Sequence, residues 1–126
     1  DAAAGLVSNV DGMLAFGRMF LRGGAPVLTP AAVAEMTRDQ LTPEQRERGA
    51  AFLGGAGWGF CTGVAVDGPR AGSFGWDGGL GTSWLVDPVR DLIVIVLTQR
   101  LFDGPLGAQL HRELQDAAYA AVAGDS

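Results

Sequence analysis

The 126-residue sequence contains no lysine, because all nine of its basic residues are arginine, and it has one histidine and one cysteine. Without lysine, no residue of this chain can act as a Schiff-base amine or as a lysine general base. The single cysteine, Cys61, excludes an internal disulfide and a multi-cysteine metal site. The acidic residues do not cluster at metal-ligand spacing, so neither a metal nor a cofactor is expected.

Long apolar runs and positive charge are also scarce. The longest apolar run, Leu92 to Leu97, is much shorter than the roughly 20 residues of a membrane-spanning helix, so no membrane span is expected. The net charge of −5 and the pI near 4.6 argue against nucleic acid or an anionic membrane as the main partner. The sequence opens without methionine, and we interpret residues 1–126 as one partial domain of a longer protein.

Hydrophobic periodicity predicts two helices near the N-terminus. The first, at about residues 8–22, is expected to have Ser8 as its N-cap and to end at Gly23-Gly24. The second, at about residues 29–38, is expected to begin with Thr29 as its cap.

Residues 42–57 and the segment that follows them are predicted to differ in structure. The helix start signal at Thr42 is followed by no steady apolar period, which predicts a short helical turn and a loop. After residue 57 the apolar period becomes two, which predicts a strand over residues 58–66. Cys61 lies on the small-residue face of that strand and is expected to pack there as a small hydrophobic side chain.

The second half of the chain is predicted to be a sheet followed by a helix. Strands are predicted on both sides of glycines 78, 79 and 81, and a continuous strand is predicted over residues 92–98. The predicted sheet therefore extends over about residues 58–98. A final helix at about residues 105–122 has His111 in a solvated or partly packed position. A stripe of small and apolar side chains on this helix is expected to pack on the sheet: Leu106, Leu110, Leu114, Ala118 and Val122. This order predicts an α+β fold, an antiparallel sheet flanked by helices.

No serine of the chain has an evident base. Ser8 has no lysine three residues on, and Ser83 lacks the second glycine of a nucleophile elbow. Tyr119 is expected to pack rather than to transfer a proton. A glycine cluster at residues 75–82 lies between strands, where glycine marks a bulge or the close approach of a ligand. The cluster is either a wide hairpin with Trp76 in the core or a backbone edge whose N–H groups stabilise a developing negative charge.

Four segments resemble serine hydrolases related to class C β-lactamases, a family that includes penicillin-binding proteins, D-aminopeptidases and carboxylesterases. They are Gly5-Leu6-Val7-Ser8, Gly57-Trp58-Gly59-Phe60, Gly75-Trp76-Asp77-Gly78-Gly79-Leu80-Gly81-Thr82, and the run from Val86-Asp87-Pro88 to Leu97-Thr98-Gln99. The likeness extends over nearly the whole chain, but only to the C-terminal part of the family's catalytic domain. It implies the C-terminal part of a β-lactamase/transpeptidase-like fold.

The resemblance implies roles for four consecutive residues. The family's Ser-x-x-Lys and tyrosine motifs, which perform acylation and deacylation, would lie upstream of this chain. Trp76-Asp77-Gly78 stands where β-lactamases have Lys-Thr-Gly, which implies that Trp76, Asp77 and Gly78 bind substrate. Gly79 is then expected to give its backbone N–H to the oxyanion hole. An indole in place of lysine favours esters over β-lactams, and Asp77 would add a negative charge at the rim of the site.

The resemblance therefore implies a bacterial serine hydrolase that cleaves an ester or amide through an acyl-serine intermediate, esterase-like more than β-lactamase-like, without cofactor. Its partners would be a small-molecule ester, amide or β-lactam-like substrate and the missing N-terminal part of the same protein. This chain alone would be inactive, because it lacks the nucleophile. The alternative is a non-enzymatic ligand-binding module or pseudoenzyme of the same fold.

Overall fold

The computed structural model describes residues 5–102 and 105–124, and these form four α-helices, one short 3-10 helix and five strands. The helices are α1 (Val10–Leu21), α2 (Pro30–Met36), α3 (Pro43–Leu53) and α4 (Pro105–Gly124). The strands are β1 (Gly57–Trp58), β2 (Gly63–Val64), β3 (Phe74–Gly78), β4 (Thr82–Asp87) and β5 (Leu92–Leu97), with the 3-10 helix Gly68–Arg70 between β2 and β3. Within these ranges, no helix is long and apolar enough to cross a membrane.

The strands form one antiparallel sheet in sequence order, and helices cover both of its faces. Helix α1 covers the front face, which carries the paired residues Trp76 and Trp84. Helix α4 covers the back face, which carries the paired residues Asp77 and Ser83. The predicted α+β fold, with an antiparallel sheet flanked by helices, is confirmed.

Each face of the sheet has its own apolar core. The front core contains the buried side chains Phe20, Val64, Phe74 and Val86, and the back core contains Leu85, Val94 and Val96. Full burial of one such side chain contributes about 1.5–3 kcal/mol, so both cores stabilise the layered arrangement. Helix α1 lies close to β5, since a Cβ at Gly17 would be 2.9 Å from Cδ1 of Ile93. The side chains of β5 therefore pack in both cores, as the continuous apolar pattern of this strand predicted.

The ends of α1 are determined by local signals. Its N-cap is Asn9, whose side chain accepts a hydrogen bond from the Gly12 N–H at 2.9 Å. The prediction of Ser8 as the cap is wrong by one residue, because the Asn9 amide oxygen reaches the free N–H groups of the first turn. The end of the helix was predicted correctly: Gly23 and Gly24 have φ values of 70° and 94° and bond back to the last turn.

Local signals also determine where α2 and α3 begin. Thr29 caps α2 as predicted, accepting a hydrogen bond from the Ala32 N–H. The prediction of a short turn after Thr42 is wrong, because α3 has 11 residues and begins with a capping box between Thr42 and Gln45. No residue of α3 is buried, which explains why the sequence shows no apolar period there.

The predicted continuous strand over residues 58–66 is wrong. The segment forms the two-residue strands β1 and β2, joined by a turn in which Cys61 has a φ of 64°. Gly59 packs directly against the backbone of Met36, and the Phe60 N–H donates to the Met36 carbonyl at 2.9 Å. These contacts with the end of α2 interrupt the strand. Cys61 is consequently exposed rather than packed in a core.

Helix α4 presents a different face to the sheet than its apolar stripe predicted. Leu110 and Leu114 are 43% and 42% exposed, and Val122 is 40% exposed. Leu106 lies outside the described side chains. Ala118 of the stripe packs on the sheet as predicted, but the other residues that face the sheet are His111, Gln115 and Tyr119, of which His111 and Gln115 are buried. The helix is rotated in this way because polar groups on the back face of the sheet bond to its polar side chains.

Candidate active site

A groove of about 610 Å³ opens on the front face beside the β3–β4 hairpin. It is lined by the segment Leu6, Val7 and Ser8, by residues of the hairpin and by Ile95 and Leu97 of β5. None of the described residues that line it carries a charge. An uncharged groove of this size suits a neutral small molecule better than an anion.

Trp76 is a half-exposed aromatic side chain at this groove, with 44% of its surface accessible. Its ring lies 4.8 Å from that of Trp58 in an edge-to-face arrangement and 5.5 Å from that of Phe52. The Phe52 side chain of α3 is itself 71% exposed. Of the two interpretations of the glycine cluster, a core position for Trp76 is therefore wrong. The indole presents an apolar surface to the groove.

Gly79 lies in the turn between β3 and β4, next to the groove. Its N–H makes no hydrogen bond to any residue in the described part of the chain. The peptide units on both sides of its Cα are fixed, because the Gly81 N–H donates to the Gly78 carbonyl and the Phe102 N–H donates to the Gly79 carbonyl, each at 2.9 Å. A free backbone donor in a fixed turn has the properties of an oxyanion-hole donor.

Thr98, just after β5, holds the other end of this turn. Its N–H and its Oγ1 both donate to the Gly81 carbonyl, at 3.1 and 2.6 Å. Gly81 has a φ of 89°, and a side chain there would collide with the Arg100 carbonyl. The segment after β5 therefore determines where the glycine turn lies, and only glycine fits at residue 81.

Asp77 does not face the groove. Its carboxylate lies on the back face, where it accepts a hydrogen bond from Ser83 Oγ at 2.6 Å and from Gln115 Nε2 at 3.4 Å. The expectation of a negative charge at the rim of the substrate site is therefore wrong. The reason is the period of two in a strand: Trp76 faces forward, so Asp77 faces back.

His111 lies beside Asp77 and is 1% exposed, so the expectation of a solvated or partly packed position is wrong. Its Nδ1 is 3.8 Å from Oδ1 of Asp77, too far for a hydrogen bond, and has no partner in the described part of the chain. The imidazole packs against the Phe102 ring, with 5.1 Å between ring centroids. His111 therefore contacts the residue that holds the Gly79 carbonyl.

Two further groups on the back face are structural. The Tyr119 hydroxyl donates to Oδ2 of the fully buried Asp87 at 2.7 Å, and the guanidinium groups of Arg70 and Arg90 lie near its ring. Burial raises the pKa of Tyr119 above its ordinary value, and the hydrogen bond to the Asp87 carboxylate raises it further. Tyr119 packs against the back core, as the sequence predicted, and its hydroxyl makes a hydrogen bond that the sequence did not predict.

Of the three serines in the described ranges, two are buried, and the third, Ser8, is exposed at the groove with no basic side chain hydrogen-bonded to it. Ser73 and Ser83 are each 2% exposed, and Ser83 donates to Asp77 on the back face. Ser8 Oγ lies 3.4 Å from the carbonyl of Asn9. The same ranges contain no cluster of three or more potential metal-ligating side chains.

Comparison with known proteins identifies the family of this fold. The profile of the Beta-lactamase family matches residues 1–119. Protein Rv1367c of Mycobacterium tuberculosis (strain H37Rv) is 38% identical over 99% of this chain and 33% of its own length. Esterase EstB of Burkholderia gladioli is 34% identical over 72% of this chain and 25% of its own length. The chain thus spans about a third or less of these relatives.

Solved structures agree with this assignment of the fold. A mutant of Simvastatin Synthase (LovD) from Aspergillus terreus superposes with a TM-score of 0.73 at 22% identity, covering 88% of this chain and 32% of that one. The unliganded form of the synthase gives a TM-score of 0.71 at 22% identity, covering 86% and 33%. The described elements therefore have the arrangement of the C-terminal part of a β-lactamase/transpeptidase-like fold.

The sequence analysis did not identify the polar residues of α4 that contact the back face of the sheet, nor Phe52, which contacts Trp76 at the front. His111, Gln115 and Tyr119 are spaced four residues apart on α4, a pattern that indicates one polar face beside the apolar stripe. That spacing was a usable signal. Phe52 had none, because α3 has no apolar period and its position over Trp76 depends on tertiary packing.

Proposed function

The chain belongs to the Beta-lactamase family, and we propose that it is the C-terminal portion of a serine hydrolase that cleaves neutral esters through an acyl-serine intermediate. The observation that supports this most is the unbonded N–H of Gly79 at an uncharged groove. The similarity to Esterase EstB supports the ester as the substrate class. The nucleophilic serine and its base would lie in the rest of the protein, because in the described part of the chain Ser73 and Ser83 are buried and Ser8 donates only to the Asn9 carbonyl.

In the proposed reaction, the serine Oγ attacks the ester carbonyl and its proton passes to the base. The carbonyl oxygen becomes an oxyanion that accepts hydrogen bonds from the Gly79 N–H and the N–H of the nucleophilic serine. Collapse of the intermediate expels the alcohol, which takes up the proton, and water then hydrolyses the acyl-enzyme. The loss of one such donor costs about 3 kcal/mol of transition-state stabilisation.

The side chains around Gly79 support the choice of a neutral substrate. Trp76 gives the groove an apolar surface and one neutral N–H donor where a lysine would attract a carboxylate. Gly78 allows close approach of a substrate to the backbone of β3. Asp77, on the back face, has no contact with a substrate in this proposal. β-Lactams, which carry a carboxylate, would be poor substrates because nothing in the described part of the groove neutralises them.

The test is an intact mass spectrum of the full-length natural protein before and after treatment with a fluorophosphonate probe. We expect the mass to rise by one phosphonyl group, with loss of fluoride, at a serine upstream of these residues. Heat-denatured protein is the control, since it should remain unlabelled. A native protein that remains unlabelled would contradict the hydrolase and favour the ligand-binding module.

A further inference from the structure

We propose that His111 is a positioning residue for the oxyanion-hole peptide, acting from the back of the sheet through Phe102 and Asp77. The inference rests on the proposed role of the Gly79 N–H. It concerns a residue that contacts neither the groove nor a substrate. His111 is on α4, and its imidazole reaches two groups that hold the β3–β4 turn.

The first connection passes through Phe102. The His111 imidazole packs on the Phe102 ring at 5.1 Å, and the Phe102 N–H donates to the Gly79 carbonyl at 2.9 Å. This hydrogen bond fixes the peptide unit that follows the Cα of Gly79. Because Phe102 lies in an irregular segment, no helix or strand hydrogen bonds hold its backbone, and its ring contact with His111 adds a restraint from α4.

The second connection passes through Asp77, two residues before Gly79. Its carboxylate is held by Ser83 Oγ at 2.6 Å and by Gln115 Nε2 at 3.4 Å, and His111 Nδ1 lies 3.8 Å away. His111 and Gln115 are four residues apart on α4, so one helix face contacts the end of β3 from behind. This contact fixes β3 just before its last residue, Gly78, which precedes Gly79.

Residue 79 needs such support because it has no side chain that packs against a neighbour. Even an added Cβ at Gly79 would meet no atom within 4 Å, so the hydrogen bonds of the adjacent peptide units orient its N–H. An oxyanion donor acts at about 2.7–3.1 Å, and a displacement of about 1 Å can reduce a rate roughly 100-fold.

The unpaired Nδ1 of His111 is a second observation that supports a positioning role. A buried polar atom without a hydrogen bond costs about 1–3 kcal/mol, so an apolar residue would be more stable in this position. The cost is explained if the imidazole is retained for its contacts with Phe102 and Asp77 rather than for stability.

The experiment compares ester hydrolysis by the full-length protein and two variants, each of which keeps one of the two contacts of His111. His111→Phe retains a ring against Phe102 and removes Nδ1, and His111→Asn retains a polar atom toward Asp77 and removes the ring. We expect each to lower kcat about ten-fold with KM nearly unchanged, because the displaced donor acts on the transition state. Arg112→Ala, at the exposed neighbour on α4, is the control and should leave kcat unchanged.

A double-mutant cycle with Gly79→Pro separates positioning from general stability. Since Gly79→Pro removes the N–H, a His111 variant should lower kcat no further in that background. Equal losses in both backgrounds, or unchanged kcat in folded His111 variants, would overturn the inference while leaving the proposed function intact. Full activity of Gly79→Pro alone would instead refute the oxyanion role of the Gly79 N–H in the proposed function. If one His111 variant is unfolded at the assay temperature, the NMR chemical shift of the Gly79 backbone amide is measured in the other variant. We expect this shift to differ from that of the wild type, and an unchanged shift would overturn the inference.

Discussion

The hydroxyl of Tyr119 on α4 donates a 2.7 Å hydrogen bond to the fully buried carboxylate of Asp87 at the end of β4. The same carboxylate accepts hydrogen bonds from the N–H groups of Val89 and Arg90 and from the Arg90 guanidinium. Asp87 therefore joins the last helix to the β4–β5 turn. A buried carboxylate with four donors is stable only while those donors remain.

Tyr119→Phe tests the contribution of this hydrogen bond. The substitution keeps the ring between Arg70 and Arg90 and removes the hydroxyl, leaving one acceptor position of Asp87 unfilled. We expect a loss of about 1.5–3 kcal/mol in the free energy of unfolding of the full-length protein, measured by urea denaturation. An unchanged midpoint at equal slope would show that the hydrogen bond contributes nothing.

The same residue predicts a dependence of stability on alkaline pH. The folded-state pKa of Tyr119 is raised, so the unfolded chain loses the phenol proton at a lower pH than the folded chain does. The contribution of Tyr119 is thus complete below its ordinary pKa of about 10 and is lost as the pH rises from there toward the folded-state pKa. Wild-type protein should lose more stability than Tyr119→Phe over that interval. Parallel curves for the two proteins would contradict the assignment.

Trp76→Lys tests the basis of substrate charge preference. A lysine in this position would place a positive charge in a groove whose described lining has none. We expect kcat/KM to rise for an ester with a carboxylate on its acyl group and to fall for a neutral ester of the same length. Trp76→Met, long and uncharged, is the matched control and should lower both values together. If Trp76→Lys had the same preference for neutral over charged esters as the wild type, the substrate would not bind beside residue 76.

Thr98→Val tests whether the segment after β5 determines the position of the glycine turn. The change removes the Oγ1 that donates to the Gly81 carbonyl at 2.6 Å and keeps the shape of the side chain. We expect kcat of the full-length protein to fall several-fold, since the turn that holds Gly79 would shift. Thr98→Ser retains the hydroxyl and should remain close to wild type. Equal rates for the two variants would show that the N–H of residue 98 alone is sufficient.

Sequence patterns predicted those features that depend on neighbouring residues. The glycines that end α1 and the threonine that begins α2 act within one helical turn, and the apolar run of β5 indicates its burial directly. Helix α3 was missed because its side chains are solvated, so no apolar period marks it. Its capping box was the available signal.

The candidate site was predictable in part. The glycine cluster indicated an open backbone edge, and strand alternation alone would have placed Trp76 and Asp77 on opposite faces. The environment of His111 was not predictable, because its contacts with Asp77 and Phe102 join residues that come together only when α4 packs on the sheet. The apolar stripe of α4 suggested a different rotation of that helix.

The central claim is that the backbone N–H of Gly79 stabilises the oxyanion, and a pair of substitutions at this residue tests it directly. Gly79→Pro removes the N–H, and Gly79→Ala keeps it, in a position where an added Cβ would meet no atom within 4 Å. In steady-state hydrolysis of a neutral ester by the full-length protein, we expect the proline variant to lose about 100- to 1,000-fold in kcat. The alanine variant should remain within a few-fold of wild type. Proline and alanine variants of equal activity would contradict the account.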